Sequence, residues 1–116
     1  MSRAKGNRTL RKAIEYYEEE GWLVDRVELG GRFTKSKDLF SSETFGGFDL
    51  VGLKPGRIIL IQVKTNTPAT QGPYIEFAKT YSGRNVLVEG WTWYDRKGPV
   101  KHRFYKNGKV KRVDLR

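Results

Sequence analysis

The sequence contains no cysteine, and this absence removes several kinds of chemistry at once. Disulfide bonds, thiolate metal sites and cysteine nucleophiles are excluded, and a chain without cysteine fits a reducing, cytoplasmic compartment. Histidine is almost as scarce, because His102 is the only one. A zinc site built from histidine and cysteine ligands is therefore not expected.

Long apolar runs are also missing. No stretch of about 18 apolar residues is present, so we expect no membrane-spanning helix and no membrane partner. The basic N-terminus leads into a polar helical pattern, which is not typical of a secretory signal. No phosphate-binding glycine loop and no nucleophile elbow is found, so we expect no small-molecule cofactor other than a metal ion.

Positive charge, in contrast, is abundant. The 116 residues include 23 lysines and arginines against 13 acidic residues, which gives a formal net charge of +10. On a chain long enough for one compact domain, residues 1–116, this excess is typical of a protein that binds a phosphate backbone. A solubilising surface or one that meets anionic lipid is the alternative, but no amphipathic basic helix supports lipid binding.

The hydrophobic pattern predicts an α/β protein with two helices and six strands. Helices are expected at residues 7–20 and 73–81. Strands are expected at residues 22–29, 48–53, 58–64, 85–94, 102–106 and 109–115. Pro55-Gly56 predicts a tight turn between the second and third strands, and Asn107-Gly108 predicts a C-terminal β-hairpin.

Several basic, polar and aromatic residues are candidates for contacts with DNA. The long loop at residues 30–47 can follow a phosphate backbone, although a solvated loop is the alternative. Trp91 and Trp93 can stack on unpaired bases, but alternating aromatic residues in a strand more often form core or dimer interface. The candidate DNA-binding residues are Arg8, Arg11, Arg26, Arg32, Lys35, Lys37 and Gln71.

Three polar residues interrupt apolar strands. Gln62 and Lys64 share one face of their strand by alternation, and pairing outward from the turn brings Asp49 toward Gln62. Burying a carboxylate, an amide and an ammonium together is costly unless they pair or bind something. Oxygens of Asp49, Gln62 and the Val63 carbonyl suit Mg²⁺, or Mn²⁺ in its place, and Lys64 can stabilise charge on a phosphodiester. A structural Asp–Lys pair explains the spacing equally well.

These segments resemble a known nuclease superfamily. Gly47-Phe48-Asp49-Leu50-Val51, followed by Ile59-Leu60-Ile61-Gln62-Val63-Lys64, resembles the D…(E/Q)xK core of PD-(D/E)XK nucleases. Lys5-Gly6 and Arg11 resemble the opening of archaeal-type Holliday junction resolvases, and the resemblance covers residues 5–82. It implies a restriction-endonuclease-like fold, with a central mixed sheet flanked by helices. It also implies a homodimer and Mg²⁺-dependent cleavage of two opposed strands in a four-way DNA junction.

The resemblance assigns roles residue by residue. Asp49 matches the metal-bridging carboxylate, Gln62 the second ligand and Lys64 the catalytic lysine. Arg11 matches the arginine of the first-helix motif, which places it among the catalytic candidates, and Arg26 matches a basic residue at the end of the first strand. Phage members of the family would act in the host cytoplasm.

Two departures from the family pattern bear on metal binding. The second ligand is usually glutamate, so Gln62 should hold a metal more weakly. The first-helix glutamate would fall at Leu10, which leaves Asn7 and Glu15 as stand-ins. A DNA nuclease without junction preference and a non-catalytic nucleic-acid-binding module on the same fold are therefore the alternative functions.

Overall fold

A computed structural model describes residues 3–27, 47–68 and 70–115, with side chains from Arg8 onward in the first range. Helices and strands follow one another in the predicted α/β order, and all eight predicted elements are present. Their bounds are α1 (Arg3–Glu19), β1 (Leu23–Arg26), β2 (Leu50–Lys54), β3 (Arg57–Thr65), α2 (Gly72–Tyr81), β4 (Val86–Tyr94), β5 (Gly98–Phe104) and β6 (Val110–Asp114).

The six strands form one mixed sheet in the order β1-β2-β3-β4-β5-β6. Only β3 and β4 run parallel among these strands, and α2 makes the crossover that parallel pairing requires. Lys54 pairs with Arg57 across the predicted turn, where Gly56 takes the positive φ of 72° that favours glycine. The predicted C-terminal hairpin is also confirmed, because Phe104 pairs with Val110.

Two elements begin earlier than the sequence pattern predicts. α1 starts at Arg3 rather than near Asn7, and β5 starts at Gly98 rather than at His102. Pro99 is the second residue of β5. Proline has no backbone N–H to donate, and it is tolerated near the start of a strand, where a ladder hydrogen bond is less often required. None of the helices in the described ranges is long and apolar enough to cross a membrane.

The helices cover opposite faces of the sheet because side chains alternate along each strand. On the α1 face, Ile59 and Ile61 pack in a cluster with Ala13 and Tyr17 of the helix. On the α2 face, Leu60, Val88 and Phe104 pack with Ala78. On β4, the alternate residues Leu87, Trp91 and Trp93 join the α1-face cluster.

One end of the sheet collects most of the predicted site residues. β3 and β4 are parallel, so both finish at this end. β2 is antiparallel to β3 and begins here, and β1 is antiparallel to β2 and finishes here. The first half of α1 is tied to the same end, because the Thr65 hydroxyl donates a hydrogen bond to the Thr9 hydroxyl at 2.8 Å. We call this end the carboxyl end of the sheet, after β3 and β4.

Candidate active site at the carboxyl end of the sheet

The backbone leaves regular strand pairing at Asp49. Leu50 pairs with Ile61, yet the Asp49 N–H also donates to the Ile61 carbonyl at 2.9 Å, so two residues oppose one. This is the arrangement of a β-bulge, which re-aims side chains and is common beside active sites. The bulge also explains why Phe48 packs in the α2-face cluster while Leu50 packs in the α1-face cluster.

The bulge places the Asp49 carboxylate against the last part of β3. Oδ2 of Asp49 accepts a hydrogen bond from the Val63 N–H at 2.8 Å. The Asp49 carbonyl accepts from the Val27 N–H at 2.9 Å, which fixes the backbone from the β1 side. One residue earlier than Phe48, the Gly47 carbonyl accepts from the Tyr74 hydroxyl of α2 at 3.0 Å. Asp49 is therefore held by the sheet on both sides, with its carboxylate acting as an acceptor for β3.

Gln62 bonds to the backbone of the same residue, Val63, through the next peptide group. Its side chain is 4% exposed, and Nε2 donates to the Val63 carbonyl at 3.2 Å. The Val63 N–H and carbonyl thus bond to Asp49 and Gln62 respectively. Asp49 and Gln62 therefore share Val63 as a backbone partner, and the bulge replaces the direct pairing of Asp49 with Gln62 that an uninterrupted ladder would give.

Lys64 and Arg26 bring positive charge to this end. Lys64 is exposed, follows Gln62 by two positions and pairs with Thr92 of β4. It therefore shares the α2 face with Gln62. Arg26 is half-buried at the end of β1 and pairs with Leu50, the residue after Asp49. A phosphodiester at the carboxyl end would meet cations from two strands.

The donor set at Asp49, Gln62 and Val63 fits a hard divalent cation of modest affinity. The Asp49 carboxylate contacts the Val63 N–H, the Val63 carbonyl is the second oxygen of the set, and the Gln62 amide supplies a third if it turns over. Mg²⁺ commonly takes one or two carboxylates and completes its shell with water and substrate phosphate. Within residues 3–27, 47–68 and 70–115, no group of three or more acidic or histidine side chains surrounds such a position. A cation held by this single carboxylate would need ligands from outside the chain, such as water or phosphate, to complete its shell.

The remaining predicted residues fall into three groups. Arg8 is exposed on α1 next to Thr9, and half-buried Gln71 precedes α2, so both lie at the carboxyl end. Arg11 is exposed two positions after buried Thr9, which places it about 200° around the helix, away from the sheet. Exposed Glu15 lies further along α1, away from the carboxyl end. The side chains of Asn7, Arg32, Lys35 and Lys37 lie outside the described residues.

A basic and aromatic notch on the α1 face was not anticipated from the sequence. Lys12 Nζ lies 3.8 Å from the centroid of the Trp93 ring, and Arg8, Thr9 and Asp95 complete the lining. The cavity measures about 320 Å³. Nothing in a single sequence indicates which residue of α1 meets Trp93.

A buried ionic network, also missed, joins α1 to the middle of the sheet. Glu89 is fully buried, and it accepts hydrogen bonds from the Tyr17 hydroxyl at 2.8 Å and from Arg103 Nε at 2.6 Å. Lys101 Nζ is 3.7 Å from the same carboxylate. Burial and the Glu89 carboxylate both raise the pKa of Tyr17 well above its usual value, so the phenol stays a donor. An acidic residue inside an apolar strand was the available signal for this network.

His102 lies beside the candidate site. It lines a small cleft on the α2 face together with Gln62, Gln71 and Gly90. Burial lowers the pKa of His102, the positive charge of Arg112 lowers it further, and Asp114 opposes the change. The imidazole is therefore a neutral hydrogen-bonding group at neutral pH.

No protein-family model matches the sequence, and no curated protein matches it at a significant level.

Proposed function

We propose that this protein is a Mg²⁺-dependent DNA endonuclease whose preferred substrate is a four-way junction. The observation that carries the proposal is the bulge at Asp49, which holds one carboxylate against the Val63 peptide group beside Gln62. The mixed sheet with helices on both faces is compatible with the restriction-endonuclease-like fold that we include in the proposal.

Asp49, Gln62 and the Val63 carbonyl would hold the metal. When bound, Mg²⁺ would activate water and stabilise negative charge on the phosphodiester. The Val63 N–H keeps the Asp49 carboxylate in one orientation, which preorganises the donor. Lys64, exposed on the same face as Gln62, orients the attacking water or neutralises charge on the phosphate.

The charge of the whole chain supports a nucleic-acid substrate. The formal net charge is +10, and Arg8, Lys12, Arg26 and Lys64 all lie at or near the carboxyl end of the sheet. A symmetric homodimer would place two such sites so that they cut two opposed strands of a junction. We therefore include a homodimer in the proposal.

The test is cleavage of a labelled synthetic four-way junction, with linear duplex as the control substrate, in Mg²⁺ and in EDTA. Asp49→Asn and Lys64→Ala should each slow cleavage by roughly 100- to 1000-fold, the usual effect of removing a group that stabilises charge in the transition state. Glu18→Gln and Lys109→Ala are matched controls, because Glu18 is exposed at the far end of α1 and Lys109 is exposed on the turn before β6.

Paired symmetric cuts in the junction alone, lost in EDTA and in both site variants but kept in both controls, are the expected result. Equal cutting of duplex and junction would contradict the junction preference and leave a general nuclease. Cleavage unchanged in Asp49→Asn would contradict the assignment of the site.

A non-catalytic DNA-binding module is the second candidate. One observation favours it: Gln62 bonds to the Val63 carbonyl through Nε2 and not through its oxygen. In this orientation Asp49 is the side chain of the proposed ligand set that offers oxygen to a metal. Tight junction binding without any cutting in Mg²⁺ or Mn²⁺ would establish this function and refute the nuclease.

A further inference from the structure

The notch between α1 and the end of β4 has the shape and chemistry of a nucleotide subsite. Arg8 and Lys12 are exposed cations on successive turns of one helix face, and Trp93 is a half-buried aromatic floor. The cavity of about 320 Å³ is open to solvent on one side. Cations beside an accessible aromatic ring are the combination with which proteins bind single strands without regard to sequence.

The Trp93 ring has two different neighbours. Trp91 lies on one side, with ring centroids 6.2 Å apart and the planes inclined by 21°. Lys12 is exposed on α1, and its Nζ lies 3.8 Å from the centroid of the Trp93 ring. A solvent-exposed lysine is readily displaced, and stacking of a base on an aromatic ring is generally the stronger contact. The lysine side of the ring is thus available to an entering base.

The walls of the notch are held in place by hydrogen bonds. Asn66 Nδ2 donates to the Asp95 carboxylate and the Asp95 N–H donates to Asn66 Oδ1, both at 3.0 Å. The Thr65 hydroxyl fixes Thr9 on the helix side. Because Asp95 is acidic, the phosphates of a bound strand belong on the opposite wall, beside the two cations of α1.

The notch lies close to the proposed catalytic lysine. Trp93 pairs with Thr65, the residue after Lys64, so the two sites are separated by about one strand spacing of ~4.8 Å and by the thickness of the sheet. Taking ~3.4 Å per nucleotide along a strand, this distance corresponds to about one to three nucleotides. A strand that crosses the carboxyl end of the sheet would occupy both sites.

We propose that the notch binds one unpaired nucleotide of the DNA substrate, near the scissile phosphate. The base displaces Lys12 and stacks on Trp93, and Arg8 and Lys12 contact the phosphates on either side. A paired base cannot do this, because its faces are covered by its neighbours in the duplex. The inference rests on the proposed function in taking DNA as the substrate.

The experiment measures the affinity of the full chain for a short labelled oligothymidine over a series of salt concentrations. Arg8→Ala/Lys12→Ala should lower the slope of log affinity against log salt by about 1.4, because each phosphate contact on a single strand contributes about 0.7. Lys106→Ala/Lys109→Ala removes the same charge from the exposed turn between β5 and β6, away from the notch, and should leave the slope unchanged.

An abasic oligonucleotide separates stacking from phosphate contacts. Trp93→Leu should weaken binding of oligothymidine by roughly 5- to 100-fold, the range expected for losing one stacked base. An abasic position that enters the notch should weaken wild-type binding similarly and have no further effect on Trp93→Leu. Since Trp93 also packs against the core, a thermal melt must accompany this variant, and the exposed pair Arg8 and Lys12 provides the test that does not depend on it.

Equal salt slopes for the notch pair and the control pair, with no penalty for the abasic position, would overturn the subsite while leaving the nuclease proposal intact. Failure of the wild-type chain to bind either the oligonucleotide or the four-way junction would instead overturn both proposals. Unchanged binding of matched duplex by Trp93→Leu is expected, since stacking requires an unpaired base.

Discussion

Replacing Glu89 with glutamine should destabilise the protein by about 3 kcal/mol, even though its side chain lies on the opposite face of the sheet from Gln62 and Lys64. Glu89 is fully buried and is bonded by Tyr17 and by Arg103. Removing one partner from a buried charge network usually costs about 3–5 kcal/mol, because the remaining charge is left in a poorly solvated position. The side chains of Arg103 and Lys101 are 32% and 18% exposed, so partial rehydration places the expected cost at the lower limit.

The same geometry predicts the ranking of related variants. Tyr17→Phe removes one hydrogen bond to a charged acceptor and should cost about 1.5–3 kcal/mol. Glu89→Met/Arg103→Met replaces the principal pair by apolar side chains of similar length. Such replacements are often neutral, so the double variant should be more stable than Glu89→Gln.

Equilibrium unfolding in urea measures these differences, at one protein concentration because any association would shift the apparent stability. Glu76→Gln is the matched control, since Glu76 is 74% exposed and forms an i,i+3 ion pair with exposed Lys79 at 3.6 Å. It should change stability by no more than about 0.5 kcal/mol. A Glu89→Gln variant within about 1 kcal/mol of wild type would refute the argument that this carboxylate depends on its buried partners.

Two further predictions concern the residues of the α2-face cleft. Gln62→Glu adds a second carboxylate near Asp49, so the melting temperature should fall in EDTA and be restored by Mg²⁺. Cleavage by this variant should need less Mg²⁺ than cleavage by the wild type. A melting temperature that does not respond to Mg²⁺ would contradict a metal site at this position. Burial and the charge of Arg112 lower the pKa of His102 in the folded state. The neutral imidazole therefore contributes to folding stability in full above the unfolded-state pKa of about 6.5. This contribution is lost as pH falls through the lower folded-state pKa. Melting temperatures measured against pH should therefore fall less steeply on acidification in His102→Gln, and an unchanged profile would exclude this group as the cause.

The parts of the fold that the sequence predicts well are those that depend on neighbouring residues. Pro55-Gly56 sets a two-residue turn, and the turn fixes the pairing of β2 with β3, since a slip of one residue would move every side chain to the other face. Alternation then places Gln62 and Lys64 on one face. This is why the register of β2 against β3, from the turn as far as the pair Leu50 and Ile61, could be predicted without any knowledge of the helices.

The contacts that could not be predicted depend on how α1 is rotated and placed along the sheet. The helical pattern indicates which residues face inward, but several apolar rotations and shifts bury similar surface. Arg11 was selected by resemblance to a motif, whereas the structure turns it outward and brings its neighbour Lys12 over Trp93. The bulge at Asp49 could not be predicted either, because the extra residue is neither glycine nor proline and so does not differ from an ordinary strand residue in the sequence.

The two anchors of α1 connect the buried network to the proposed subsite. Tyr17 is bonded to Glu89 near the middle of the sheet, and Thr9 is bonded to Thr65 at the carboxyl end. The anchors are eight residues apart, so about 12 Å of helix lies between them, and both face the sheet, which determines the rotation of the helix. Lys12 lies in this stretch, and a rotation of one residue, about 100°, would carry it off the Trp93 ring. The charged network is thus a reason why Lys12 and Trp93 meet on the α1 face, across the sheet from Lys64. Burying Glu89 costs free energy, but it helps to position the surface that we propose to hold DNA.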